Sequence, residues 1–305
     1  MKDQKDSHYQ EVKRGRLKQS IWTCDVDEFE RRIGFIGMKW LYYMHHPNEL
    51  EGEGEEIKGK WRALFENYLQ IKAISPISLF KPNIAQAKLL YSENDQGEMP
   101  RTLMLEGSNK VGKTCFLSIR NVALSCGYYP WLQDIRHYSD NPLGRLWQNM
   151  AYDLGFKGGI PEIQEKFFWV NIKGFKVPNA GLVLGETYTE SIDKKLVPEH
   201  LNWIPKDWLP KTKKNQQGVI NRIEYEAGPA KGSMIHFRSY NSSADEFEGI
   251  DQSWVGYDEP PPEDIYLAVE RGNIVADARS AFSFTALKEP WIYLNLVNKA
   301  KYHWI

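Results

Sequence analysis

Two regimes of hydrophobic patterning divide the chain. From about Asp25 to Tyr91 the apolar residues recur at spacings of three and four, as in Phe29, Ile33, Ile36, Trp40 and Tyr43, the period of an amphipathic helix. A second such face runs through Trp61, Leu64, Phe65, Tyr68 and Ile71, and the acidic, glycine-bearing stretch 47–56 separates the two. The polar, basic residues 1–20 read as a frayed end. Pro76 and Pro82 punctuate a linker, and Ile84–Tyr91 predicts a further short helix.

Beyond that point short apolar runs replace the helical period. Thr102–Leu105, Gly181–Leu184, Trp254–Tyr257 and Ala281–Thr285 predict buried strands, with helices over Lys113–Leu124 and near Glu190–Leu201 between them. Val219–Glu226 and Met234–Tyr240 alternate on either side of AGPAKG and predict a hairpin. Strands alternating with helices imply an α/β fold with a mostly parallel central sheet flanked by helices. The predicted organisation is a helical N-terminal region over 1–75 and a sheet domain over 76–305. Residues 127–180, rich in Trp, Tyr, Gly and Pro, read as an insertion or lid.

Composition narrows the function classes. The 305 residues are 42% hydrophobic and 26% charged with a net charge of −1, so the chain is no polycation. Nucleic-acid contact would have to come from a local patch. Lys211, Lys213 and Lys214 form one small basic cluster, readable as a solvated loop or as a phosphate contact. Cys24, Cys115 and Cys126 make no CxxC pair, and the histidines make no HExxH, so a structural metal site is not expected. No signal peptide and no apolar run of membrane-spanning length are evident, which predicts a cytoplasmic protein with no membrane partner.

The strongest chemical signal is Gly107-Ser108-Asn109-Lys110-Val111-Gly112-Lys113-Thr114, which matches GxxxxGK[ST] between a predicted strand and a predicted helix. Triphosphate is highly anionic. A glycine-bearing loop turns backbone N–H groups toward it, and the following helix points its positive end at the same charge. Lys113 would reach the β- and γ-phosphates and Thr114 would ligate Mg2+. A second signal is Trp254–Glu259, an apolar run ending in two acids. Asp258 would hold the Mg2+ shell, and Glu259 would orient and deprotonate a water. No NKxD follows, which favours ATP over GTP. Together these predict a P-loop NTPase fold and a Mg2+-dependent ATPase. Gln86, upstream of the loop, could pair with both edges of adenine or be a solvated helix glutamine. Thr285 could sense the γ-phosphate or simply end its strand.

These stretches resemble phage terminase large subunits. GSNKVGKT is similar to their phosphate loop, Trp254–Pro262 (WVGYDEPPP) to their acid motif, and Ala281–Leu287 (AFSFTAL) to their coupling motif. Leu201–Pro210 and Gly232–Gly249 add to the likeness, which covers roughly residues 76–292. The resemblance implies a homo-oligomeric ring that couples ATP hydrolysis to translocation of double-stranded DNA into a procapsid. Its expected partners are the procapsid portal and a terminase small subunit, in the host cytoplasm. Carried over by residue, Gln86 would contact adenine, Lys113 and Thr114 the phosphates and Mg2+, Asp258 the Mg2+ shell and Glu259 the water, with Thr285 the coupling residue. The chain departs from the family at Lys110 and Glu248, where arginines are frequent, and at Ala286, where proline is. Either Arg136, Arg145, Arg238 or Arg271 supplies the missing arginine, or Lys110 does part of its job from within the same subunit. The family's C-terminal nuclease has no counterpart before Ile305, so an ATPase half is expected. Competing readings are the first lobe of a nucleic-acid helicase and a non-catalytic ATP-binding assembly module.

Overall fold

The structure is a computed structural model that describes residues 54–55, 58–59, 72–80, 82–108, 112–133, 148, 151–171, 175–247, 251–285, 289–297 and 303–304. The helical faces predicted through Phe29–Tyr43 and Trp61–Ile71 lie outside these. Two compact units are present, one of Met1–Ala73 with Leu132–Glu165, the other of Ile74–Trp131 with Lys166–Ile305. In the first, the Gln148 side-chain oxygen accepts from the Ile160 N–H at 3.1 Å. That bond lies at the start of the helix Ile160–Phe167.

Among the described residues, the second unit holds a sheet of eight strands: β1 (Thr102–Glu106), β2 (Ala180–Gly185), β3 (Pro210–Lys214), β4 (Ile220–Tyr225), β5 (Met234–Ser239), β6 (Trp254–Asp258), β7 (Arg279–Phe284) and β8 (His303–Trp304). Their order is β3-β4-β5-β2-β6-β7-β1-β8. The five pairings from β5 through β8 are parallel, and β3-β4 and β4-β5 are antiparallel. The described helices of this unit are α1 (Ile84–Leu90), α2 (Lys113–Cys126), α4 (Val197–Trp203), α5 (Glu263–Ala276) and α6 (Trp291–Asn295); Ile160–Phe167, most of it in the first unit, is α3. This is the predicted α/β arrangement of a mostly parallel sheet flanked by helices.

The central strands are buried on both faces, which is why they read as continuous apolar runs. Alternation then decides which helix each residue meets. Val255, Tyr257, Phe282, Phe284 and Met104 join a core with Ile265, Ala268 and Val269 of α5. The rings of Tyr257 and Phe282, paired across β6 and β7, stack at 4.3 Å. Intervening residues face α2. A β-carbon on Gly256 would stand 2.8 Å from Asn121 Nδ2 and 3.1 Å from Leu117 Cδ1, so only glycine lets α2 lie this close to β6. Trp254, wholly buried, donates its indole N–H to Asn179 Oδ1 at 3.0 Å. Burying a side chain of this size stabilises by roughly 1.5–3 kcal/mol.

A histidine ties α2 to α4. His200 Nδ1 lies 2.7 Å from the Leu196 carbonyl and 3.1 Å from Ser118 Oγ, and Nε2 lies 3.2 Å from Asn121 Nδ2. A carbonyl only accepts, so Nδ1 carries the proton and Nε2 accepts from the Asn121 amide. Burial pushes the imidazole pKa down to about 4, and His200 is neutral at physiological pH.

Sequence patterning departs from the structure in two places. The helix near Glu190 is two segments: a π-helical stretch, Tyr188–Leu196, that continues into α4. Pro198 has no N–H, and its ring crowds the carbonyl four residues back. The wider π turns before it meet that demand. Lys211, Lys213 and Lys214 lie on an edge strand, β3, rather than in a loop. Two of these lysines pair with β4-side acids, Lys211 with Glu226 at 3.0 Å and Lys213 with Glu224 at 2.9 Å. An exposed polar edge strand carries no apolar alternation to reveal it. Within 127–180, Tyr128 and Trp169 form a β-bridge, and α3 lies over Ile160–Phe167. Among the described residues no helix is long and apolar enough to cross a membrane.

Candidate nucleotide site

The C-terminal ends of β6, β7 and β1, three adjacent parallel strands, deliver most of the predicted site residues to one edge of the sheet. In open α/β sheets this edge is where ligands bind. The loop after β1 leads into α2, whose N-cap is Gly112 at φ 85°. Lys113, the first residue of α2, directs its ammonium back over the loop. Nζ donates to the carbonyls of Gly107 at 2.6 Å and Ser108 at 3.1 Å and to Thr285 Oγ1 at 2.7 Å. Three acceptors satisfy its three N–H bonds. Burial pushes this ammonium below its usual pKa, and neighbouring Lys195 adds to the fall, while Glu259 and Asp258 oppose it.

Thr285, just past β7, connects Lys113 to Glu259. Its hydroxyl accepts from Lys113 and donates to Glu259 Oε1 at 3.3 Å, while its backbone N–H donates to Oε2 at 2.9 Å. Glu259 has φ 68°, a left-handed conformation that costs a side-chain-bearing residue about 1–2 kcal/mol. Two bonds hold it there. Its N–H donates to the Ser283 carbonyl at 2.9 Å, and its own carbonyl accepts from the Tyr240 hydroxyl at 2.8 Å. Desolvation pushes the Tyr240 phenol well above its usual pKa, so it remains a donor.

Asp258 ends β6 and is 2% exposed. Thr114 Oγ1 lies 3.4 Å from its Oδ1, and Ser191 Oγ 3.5 Å from Oδ2, both at the outer limit of hydrogen bonding. The close partner is Lys195, whose Nζ lies 2.8 Å from Oδ2 and 3.1 Å from Oδ1. Both Ser191 and Lys195 come from the π-helical stretch that follows β2. A β-carbon on Gly185, the last residue of β2, would stand 2.4 Å from Ser191 Oγ and 2.9 Å from Leu196 Cδ1. Glycine at that position allows the stretch to settle beside Asp258.

Gln86 is wholly buried. Its side-chain oxygen accepts from the Asn83 N–H at 2.9 Å, closing a capping box at the start of α1, and its nitrogen donates to the Gly112 carbonyl at 3.0 Å. Thus Gln86 braces the loop rather than projecting from a solvated helix. Lys113, Thr114, Asp258, Glu259 and Thr285 are brought together with Gly107 and Ser108. Asn109, Lys110, Val111, Glu248 and Ala286 lie outside the described residues, as do Arg136 and Arg145. Sequence reasoning missed Lys195, Ser191 and Tyr240. The usable signal was positional: β2 and β5 end on the same edge, so polar residues just after them face the site.

The donor set fits a nucleotide with magnesium. A hydroxyl and a buried carboxylate, 3.4 Å apart, are the hard oxygens that Mg2+ takes. The ammonium of Lys113, at the N-terminus of a 14-residue helix, suits phosphate. Set beside known proteins, the chain matches no family model and no curated protein. It is similar in structure to the large terminase from the thermophilic bacteriophage D6E, with 14% sequence identity and a TM-score of 0.43. That likeness covers 70% of this chain and 42% of the terminase chain, so this chain spans less than half of that neighbour's length.

Proposed function

We propose that the chain is an ATP-hydrolysing P-loop motor domain of the terminase large-subunit kind, driving double-stranded DNA into a viral procapsid. The observation that carries this reading is the convergence of Lys113, Thr114, Asp258 and Glu259 at the ends of β1, β6 and β7. Lys113 and the backbone of Gly107–Thr114 bind the triphosphate. Thr114 and Asp258 would hold magnesium, which when bound would offset the negative charge of the phosphates. Glu259, fixed by Thr285 and Tyr240, orients the attacking water and takes its proton. Thr285 reports on Lys113 to the catalytic acid and so serves as the coupling residue. Gln86 acts on the nucleotide through Gly112, whose carbonyl it holds, so its part in base selection is indirect. The DNA-packaging context rests on the sequence resemblance of the phosphate-loop, acid and coupling stretches. The portal, a small subunit, a ring of like subunits and the host cytoplasm belong to the same reading.

Two variants test it together. Lys113→Ala should weaken ATP binding by about 2–3 kcal/mol in calorimetry, the scale of a lost charge-assisted hydrogen bond. Glu259→Gln should bind ATP as the wild type does while turnover falls about a hundredfold. Unchanged ATP affinity in the first, or wild-type turnover in the second, overturns the assignment.

A further inference from the structure

We infer that Lys195 is the resident counter-ion of Asp258, holding the carboxylate in the empty site and giving way when a metal–nucleotide complex enters. The inference deepens the proposed nucleotide site and rests on it. A carboxylate 2% exposed needs a compensating charge. Among its described polar contacts, only Lys195 supplies one, reaching both oxygens at 2.8 and 3.1 Å. The hydroxyls of Thr114 and Ser191, at 3.4 and 3.5 Å, are neutral and distant. The lysine covers the same two oxygens that a magnesium shell would address.

Its side chain is built to leave. The Lys195 side chain is 45% exposed while that of Asp258 is buried, so one partner is fixed and the other lies at the surface. A lysine is a compact point charge on a flexible stem, able to swing without moving the backbone. Its charge lies close enough to the Lys113 ammonium to disfavour that second charge. With a metal on Asp258, Lys195 would no longer be needed there, and its charge would be free to meet a phosphate.

The consequence is a linkage between metal and nucleotide that depends on this lysine. Without metal, Lys195 is what keeps Asp258 from repelling the triphosphate. Lys195→Met keeps the stem and removes the charge. In EDTA, binding of a fluorescent ATP analogue should weaken about tenfold, a size typical of site coupling. In saturating Mg2+ the variant should bind within about threefold of wild type, since the metal now covers Asp258. Lys195→Arg should keep most of the EDTA affinity. Lys194→Met should match wild type in both conditions, because Lys194 pairs with Glu190 instead. Equal losses with and without Mg2+ would mark Lys195 as structural and overturn the inference, as would no loss in EDTA. Lys113→Ala run alongside separates the two levels. If it binds the analogue normally, the phosphate-loop reading fails with everything built on it. If it loses binding while Lys195→Met shows no metal-dependent difference, only the counter-ion inference fails.

Discussion

Thr285→Val isolates the hydroxyl that stands between Lys113 and Glu259. Valine keeps the shape of threonine and the backbone N–H to Glu259 Oε2, a bond of 2.9 Å. What disappears is the 2.7 Å bond from Lys113 and the longer 3.3 Å bond to Oε1. A hydrogen bond to a charged donor contributes about 1.5–3 kcal/mol. Lys113 retains the Gly107 and Ser108 carbonyls at 2.6 and 3.1 Å, so the expected loss falls to or below the bottom of that range, about 1–1.5 kcal/mol. The loss falls on the empty protein, because a bound triphosphate competes for the same ammonium. A bond made only in the empty state opposes binding, and deleting it shifts the balance toward the loaded state. The empty protein should therefore melt about 2–4 °C lower. Its affinity for ATP, measured by calorimetry in Mg2+, should tighten five- to tenfold. Turnover should nonetheless fall, since Glu259 loses part of its hold. Weaker ATP binding in Thr285→Val would refute this reasoning and mean that the hydroxyl serves the nucleotide directly.

Two further perturbations test the scaffold beneath the site. His200 titrates near 6.5 when unfolded and at about 4 when folded. The unfolded chain takes up a proton that the folded chain refuses. Its contribution, up to about 3 kcal/mol, is thus full above 6.5 and is lost as pH falls toward 4. Urea denaturation of His200→Gln should show a shallower decline over that window, and an unchanged slope would mean the histidine is not buried neutral. Gly256→Ala would drive a β-carbon to within 2.8 Å of Asn121 Nδ2, an atom already engaged by His200. Overpacking of this kind costs about 1–3 kcal/mol, read as a lower urea midpoint. Wild-type stability would show that α2 can move off β6 freely.

The central strands were legible because burial on both faces leaves short unbroken apolar runs, and Trp254–Asp258 and Thr102–Glu106 carry that mark. Lys113, Thr114, Asp258 and Glu259 were legible because the GxxxxGK[ST] spacing and an apolar run ending in two acids single them out, and the fold brings these side chains together. Lys195 was not, since nothing local distinguishes it from Lys194, which points away to pair with Glu190. Only the winding of the π-helical stretch and its approach to Gly185 decide which lysine meets Asp258. Gln86 was legible as an amide of interest, but its hold on the loop was not. Its capping box was spelled out by Asn83 three residues earlier, whereas its hold on Gly112 spans 26 residues of chain.

The lysines of β3 bear on assembly. An edge strand offers free N–H and C=O groups to any passing chain. Here a second copy of β3 laid antiparallel would set lysine near lysine along Lys211–Lys214, where like charges opposite one another repel. Growth by strand addition is thereby discouraged on that side, and the barrier weakens as salt screens it. Under the proposed ring assembly, contacts on that side would fall to helices and loops, surfaces that can tilt and slide against one another as a shared, continuous sheet could not.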